Sequence, residues 1–165
     1  IMTIFVKNKH ELQIDDFKLK CCIGKKGSSK RKIEGDHKTP KGLYSIGQLY
    51  YRADRIERPV TKIKTIKINK DMGWSNDTRF PRYYNKLVNI NKKIKHEKLH
   101  RNDHKYDMLI IIKYNYKRVK NFKGSCIFMH LTNNYKPTAG CVALKKKDFL
   151  ILLKLITEKT KILIY

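Results

Sequence analysis

Gly124-Ser-Cys-Ile-Phe-Met-His130 and Pro137-Thr-Ala-Gly-Cys-Val-Ala-Leu144 are two largely apolar runs separated by a polar loop that holds Asn133 and Asn134. Ser125 to His130 has the continuous apolar character of a buried strand, and Gly140-Cys141 opens a second such segment after the turn formers. Two strands in succession would set His130 and Cys141, eleven residues apart, at adjacent strand ends. A thiol there needs an imidazole within hydrogen-bond reach to become a nucleophile, because the ring takes the thiol proton and returns it to a leaving amine. Gly140 allows close approach of a substrate, and backbone N–H groups beside Cys141 offer an oxyanion hole. The spacing alone does not single the pair out, since unrelated Cys and His residues fall this far apart just as readily.

Further out, Met2 to Val6 and Phe17 to Ile23 are expected as an N-terminal hairpin, the second strand from the alternation of Phe17, Leu19, Cys21 and Ile23 with Lys18 and Lys20. Gly24 to Gly42 is rich in Gly, Ser, Lys and Pro and too long for an idle connection, so a functional loop is expected. Leu43 to Tyr51, Val60 to Ile68 and the β-branched run within Tyr106 to Tyr114 follow as strands. Between them lie an ordered irregular excursion, Asp71 to Leu87, and weak helical character from Lys92 to His104. Phe149, Leu152, Leu153 and Ile156 have helical spacing with Asp148 in the first turn, which predicts a helix over Lys147 to Ile156. Lys161 to Tyr165 closes as a strand. With no repeat and no linker, residues 1–165 form a single domain, mainly antiparallel β with one or two helices, in the α+β class.

A chain of 165 residues is long enough for one core without disulfide or metal staples. Its 39 Lys and Arg against 14 Asp and Glu give +25, which attracts nucleic acid, anionic lipid and acidic cell-wall polymer alike. The lysines lie on nearly every segment rather than in one block, which argues against a specific nucleic-acid partner. Cys21, Cys22, Cys126 and Cys141 lack the two-residue spacing of a zinc knuckle or redox motif. Three of them read as buried structural thiols, and Cys141 stands in turn-like surroundings. No apolar stretch is long enough to span a bilayer, and the opening Ile-Met-Thr-Ile-Phe-Val-Lys has no signal-peptide pattern.

The runs ending in His130 and Leu144, followed by Asp148 and a Leu-rich helix, resemble the L,D-transpeptidase catalytic domain, the YkuD family. Gly35-Asp-His-Lys-Thr-Pro-Lys-Gly-Leu-Tyr44 resembles that family's Thr-Pro-x-Gly motif, preceded by the Glu34-Gly35-Asp36 of one branch. Tyr50-Tyr-Arg-Ala-Asp-Arg-Ile56, Gly73-Trp74, Glu97, Arg101, Asp103 and Tyr106-Asp107 are similar to the same branch. The resemblance implies a β-sheet fold enclosing a catalytic cleft. Cys141 is then the nucleophile that attacks the third residue of a peptidoglycan stem tetrapeptide at the L-centre of a diamino acid, and His130 the general base and acid. The terminal D-alanine leaves, and the thioester passes to an amine in a transpeptidase or to water in an L,D-carboxypeptidase. Cofactors are none: no metal is implied, and the thioester keeps the energy of one amide bond. The implied location is the periplasm or cell envelope, with anionic wall polymer as a partner.

Many members carry Arg or Asn two residues after the nucleophile, where this chain has Ala143. Arg52, Arg55 or Arg101 would substitute by offering a forked donor to a substrate carboxylate, with Thr138 and Trp74 also assigned to substrate binding. Trp74, Phe80, Tyr83 and Tyr84 either wall the cleft or pin the excursion. His96, His100 and His104 recur every four residues, one face of a helix, but nothing completes a metal site, so none is assigned. The charge runs Lys25 to Lys32 and Lys145 to Lys147 are solvated faces, or hold the protein on anionic polymer. Two other readings remain at this point. One is a Cys-His peptidase acting on proteins; the other is a basic nucleic-acid-binding β domain using Tyr or Phe for stacking.

Overall fold

The computed structural model describes residues 2–90 and 92–165. In chain order the strands are β1 (Thr3–Lys7), β2 (Glu11–Ile14), β3 (Phe17–Lys20), β4 (Ser28–Ser29), β5 (Thr39–Pro40), β6 (Gly42–Tyr51) and β7 (Thr65–Lys67). There follow β8 (Met72–Ser75), β9 (Leu87–Asn89), β10 (His96–Lys98), β11 (Met108–Ile112), β12 (Phe128–Leu131), β13 (Val142–Leu144), the helix α1 (Lys146–Leu155) and β14 (Lys161–Ile164). The main sheet runs β13-β12-β11-β6-β14-β1-β2-β3, with β7 beside β6. Its two ends meet: Cys22 N–H donates to the Ala143 carbonyl at 3.0 Å and Ala143 N–H to the Cys22 carbonyl at 2.9 Å. This closure leaves few open edges and falls two residues past Cys141.

The sequence dictates which way each strand faces. β1 and β14 alternate buried and half-buried residues, as strands with one face on a core do. β11, Met-Leu-Ile-Ile-Ile, is buried throughout because both its faces are covered. On one side lies a large core of Ile4, Leu12, Met108, Met129, Val142 and Ile162, into which α1 inserts Phe149, Leu152 and Leu153. On the other, Leu109, Phe128 and Cys141 pack with Trp74, Leu99 and Tyr106. Phe149 has no solvent exposure, so Phe149→Ala is expected to cost about 3–5 kcal/mol in denaturant unfolding. A loss under 1 kcal/mol would mean that α1 does not anchor this core.

Several expected elements differ. The N-terminal hairpin is a three-strand meander, because Glu11–Ile14 forms β2 and β3 ends at Lys20. Of Val60 to Ile68 only Thr65–Lys67 is strand. Lys92 to His104 holds no helix: His96–Lys98 is β10, antiparallel to β8, and β9 completes a three-stranded sheet around the excursion. Pairing is mostly antiparallel, but β1–β14, β6–β7, β4–β5 and β12–β13 are parallel. Among the described residues no helix is long and apolar enough to cross a membrane.

Candidate active site

β12 and β13 are parallel neighbours in the register Met129↔Val142, His130↔Ala143. That register sets Cys141 beside Phe128, with His130 two residues further along. Met129, Leu131, Val142 and Leu144 point into the enclosed core, so Cys141 and His130 project together from the opposite face. Both open into one cleft of about 690 Å³, whose walls include Glu97, Arg101, Tyr106, Thr138 and Ala143. Each is only 7% exposed. Burial does not distinguish this thiol, since all four cysteines are free and buried; its neighbour and its cleft do.

The Cys141 thiol donates to the Cys126 carbonyl at 3.1 Å and accepts from Phe128 N–H at 3.4 Å, rather than meeting the imidazole. His130 Nδ1 lies 2.9 Å from the Leu131 carbonyl. An oxygen there accepts only from a protonated Nδ1, which leaves Nε2 of the neutral ring as the base. The ring is also held edge-on to Tyr106, with centroids 5.3 Å apart. Burial pushes the thiol up to about 12, with the Glu97 charge adding to it. Burial likewise brings His130 down to about 4, and the charges of Lys105 and Arg101 act in the same direction. At rest the pair is therefore neutral thiol and neutral imidazole.

The turn before the nucleophile is built by Thr138 and Gly140. The Thr138 hydroxyl donates to the Cys141 carbonyl at 2.6 Å and accepts from Gly140 N–H at 3.1 Å, so the latter donor is already used. Gly140 has φ +149°, and a Cβ there would come 3.0 Å from the Lys38 carbonyl and 3.3 Å from Ile127; only glycine fits. Lys38 belongs to the Gly24 to Gly42 loop, which buttresses the site. Lys25 N–H donates to the Thr138 carbonyl at 2.8 Å, a buried Lys32–Asp36 pair at 2.7 Å braces the loop, and Ser125 donates to Glu34 at 2.5 Å just before β12.

The other assigned residues lie apart. Arg52 forks onto Asp54 and donates to the Arg101 carbonyl at 2.7 Å, while Arg55 bonds Asp107 at 2.8 Å and the carbonyls of Asn102 and Asp103. Both hold the 101–107 wall from behind, and of the three arginines only Arg101 lines the cleft. Arg101 pairs with Asp103, which it draws down to about 2, and its guanidinium stands 5.0 Å over Tyr106. Trp74 is buried behind Phe128 and donates to Asn85 at 2.9 Å, so it pins the excursion. His96 contacts the Ile94 carbonyl, His100 faces Asp54 and His104 contacts Asp107, three separate places. Sequence reasoning gave no role to Tyr106, Glu97 or the Leu131 carbonyl. Glu97 and Tyr106 were matched to one branch of the family without a role, which was the available signal; a main-chain carbonyl has none.

The model of the YkuD family, L,D-transpeptidase catalytic domain, matches residues 2–164. No curated protein matches the chain. Among solved structures, the helical cell shape determining protein Pgp2 from Campylobacter jejuni is similar at TM-score 0.53 and 16% identity, covering 99% of this chain and 47% of that one. Bd1075 from Bdellovibrio bacteriovorus is similar at TM-score 0.50 and 18% identity, with 99% and 47% covered. The chain spans about half the length of these structures, and at such identities the likeness is one of fold.

Proposed function

Because the chain belongs to the L,D-transpeptidase catalytic domain family, we propose that Cys141 and His130 catalyse acyl transfer from a peptidoglycan stem tetrapeptide. The observation that carries this reading is the diagonal placement of thiol and imidazole on one face of β12 and β13, open to a single cleft, with Nδ1 held by a carbonyl. Turning of the Cys141 side chain from the Cys126 carbonyl toward Nε2 lets His130 take the thiol proton as Sγ attacks the carbonyl carbon of the third residue. The Gly140 N–H is held by the Thr138 hydroxyl and the Thr138 N–H by the Ile23 carbonyl, so the Cys141 N–H receives the oxyanion. Collapse breaks the amide, His130 protonates the departing D-alanine nitrogen, and a thioester remains. An acceptor amine gives up its proton to His130, attacks the thioester and restores the thiol. Removal of one main-chain bond and formation of another balances without cofactor.

Water is the second acceptor considered, which makes the enzyme an L,D-carboxypeptidase. Ala143 stands in the cleft wall and offers no polar side chain there, so neither acceptor is selected by that position. The family membership supports a role in the cell wall, hence at the envelope, and the +25 charge suits retention on anionic wall polymer. Incubation with a disaccharide tetrapeptide, followed by mass spectrometry, tests the assignment: released D-alanine and a Cys141 thioester are expected, with crosslinked product for transpeptidation or tripeptide alone for hydrolysis. Absence of both D-alanine and thioester would sink it. Arg101 is the one of the three arginines that lines the cleft, with Nε and Nη2 on Asp103 and Nη1 left to a substrate carboxylate in this reading, so Arg101→Ala is expected to raise KM about tenfold. Arg52→Ala and Arg55→Ala should chiefly loosen the wall. Unchanged KM in Arg101→Ala would remove its role.

A further inference from the structure

Glu97 lies in the cleft, and the reaction above leaves it unused. Three carboxylates line that space. Asp103 is held by both arms of the Arg101 guanidinium, and Asp107 by Arg55 at 2.8 Å and His104 at 2.7 Å. Glu97 instead has a neutral partner, the Tyr106 hydroxyl, which donates to its Oε2 at 2.9 Å. Among the described residues no cation is hydrogen-bonded to it. Lys105, Lys136 and Lys146 line the same cleft with Arg101. A half-buried carboxylate within such a basic setting sorts a ligand by charge, drawing anionic groups to the lysines and one cationic group to Glu97.

We propose that Glu97 binds the side-chain ammonium of the diamino acid at the third position of the acyl donor, so that the cleft selects donors with a free amine at that residue. The proposal rests on the stem-peptide reading above and names the group that the site recognises. Tyr106 ties this recognition to the chemistry, since its hydroxyl holds Glu97 while its ring packs against His130. Burial raises the carboxyl above the usual range, and an incoming ammonium favours its ionised form. After burial, the Glu97 charge is the next influence keeping the Cys141 thiol protonated. An ammonium seated on Glu97 offsets that charge, and the bound substrate thereby eases formation of the thiolate that attacks it.

The test is binding, kept separate from turnover. Calorimetry on Cys141→Ala compares stem tetrapeptides whose third-residue side-chain amine is free or N-acetylated. The free amine is expected to bind about tenfold or more tightly, as a charge-assisted pair out of bulk water would. Adding Glu97→Gln, which still accepts the Tyr106 hydrogen bond, should abolish the preference. Tyr106→Phe in the same background should keep it; a Glu97 that merely anchors Tyr106 would make the two variants behave alike. Binding of neither peptide, equal binding of both, or a preference that survives Glu97→Gln overturns the proposal. D-alanine release by the wild type is measured alongside. Its absence with the binding preference intact would sink the reaction while leaving the ammonium site standing.

Discussion

Cys141→Ala is expected to lower D-alanine release at least about 10⁴-fold and to leave no covalent adduct after incubation with tetrapeptide, because Cys141 is the one thiol among the described residues that line the cleft. The variant should still fold. Alanine keeps the Cβ, and what is lost is the Sγ donation to the Cys126 carbonyl and its acceptance from Phe128 N–H, about 1–3 kcal/mol for buried groups left unpaired. Intact-protein mass spectrometry with circular dichroism separates the two outcomes. Activity near wild type in a folded Cys141→Ala protein would remove the nucleophile assignment, whatever the other three cysteines do. Burial pushes Cys21 to about 12 as well, so the resting thiol does not set Cys141 apart, and in the proposed reaction its reactivity comes from substrate and His130.

How much of this was legible follows from what each feature needs. The central strand Met108–Ile112 announced itself as a continuous β-branched apolar run, and the helix around Phe149, Leu152 and Leu153 by its period. β8, β9 and β10 are three or four residues long, too short to show one, and the four-residue spacing of His96, His100 and His104 mimicked a helix that does not form. Closure of the sheet by Cys22 and Ala143 joins residues far apart in the chain, a contact no local pattern encodes. At the site, the pairing of His130 with Cys141 came from a family resemblance, and the register of β12 and β13 supplies its physical reason. Arg52 and Arg55 were ambiguous for a chemical cause: a guanidinium fork suits a substrate carboxylate and a loop's own carbonyls equally well. Here both use their donors inside the protein.

Replacement of His130 should be nearly as costly as loss of the thiol. With the thiol held near 12, almost none is ionised at neutral pH, so attack requires a base in the same step; His130→Ala is expected to reduce kcat about 10³-fold or more. An ordinary imidazole would lose base function below about 6.5, but burial brings His130 to about 4, so the acid limb of kcat/KM should fall near pH 4 and the rate stay level through neutrality. Stability follows the same proton with a definite sign. The unfolded ring takes up a proton below about 6.5 while the folded ring resists until about 4, so the unfolded state binds more protons in that window. Stability is then full above about pH 6.5 and declines toward pH 4, by about 3 kcal/mol from this residue. Urea unfolding at pH 7 and pH 4.5 should show the decline in wild type and a smaller one in His130→Ala. An acid limb near 6.5, or a decline of equal size in both proteins, would mean that the ring is solvated and free to ionise, and the neutral pair would no longer describe the resting site.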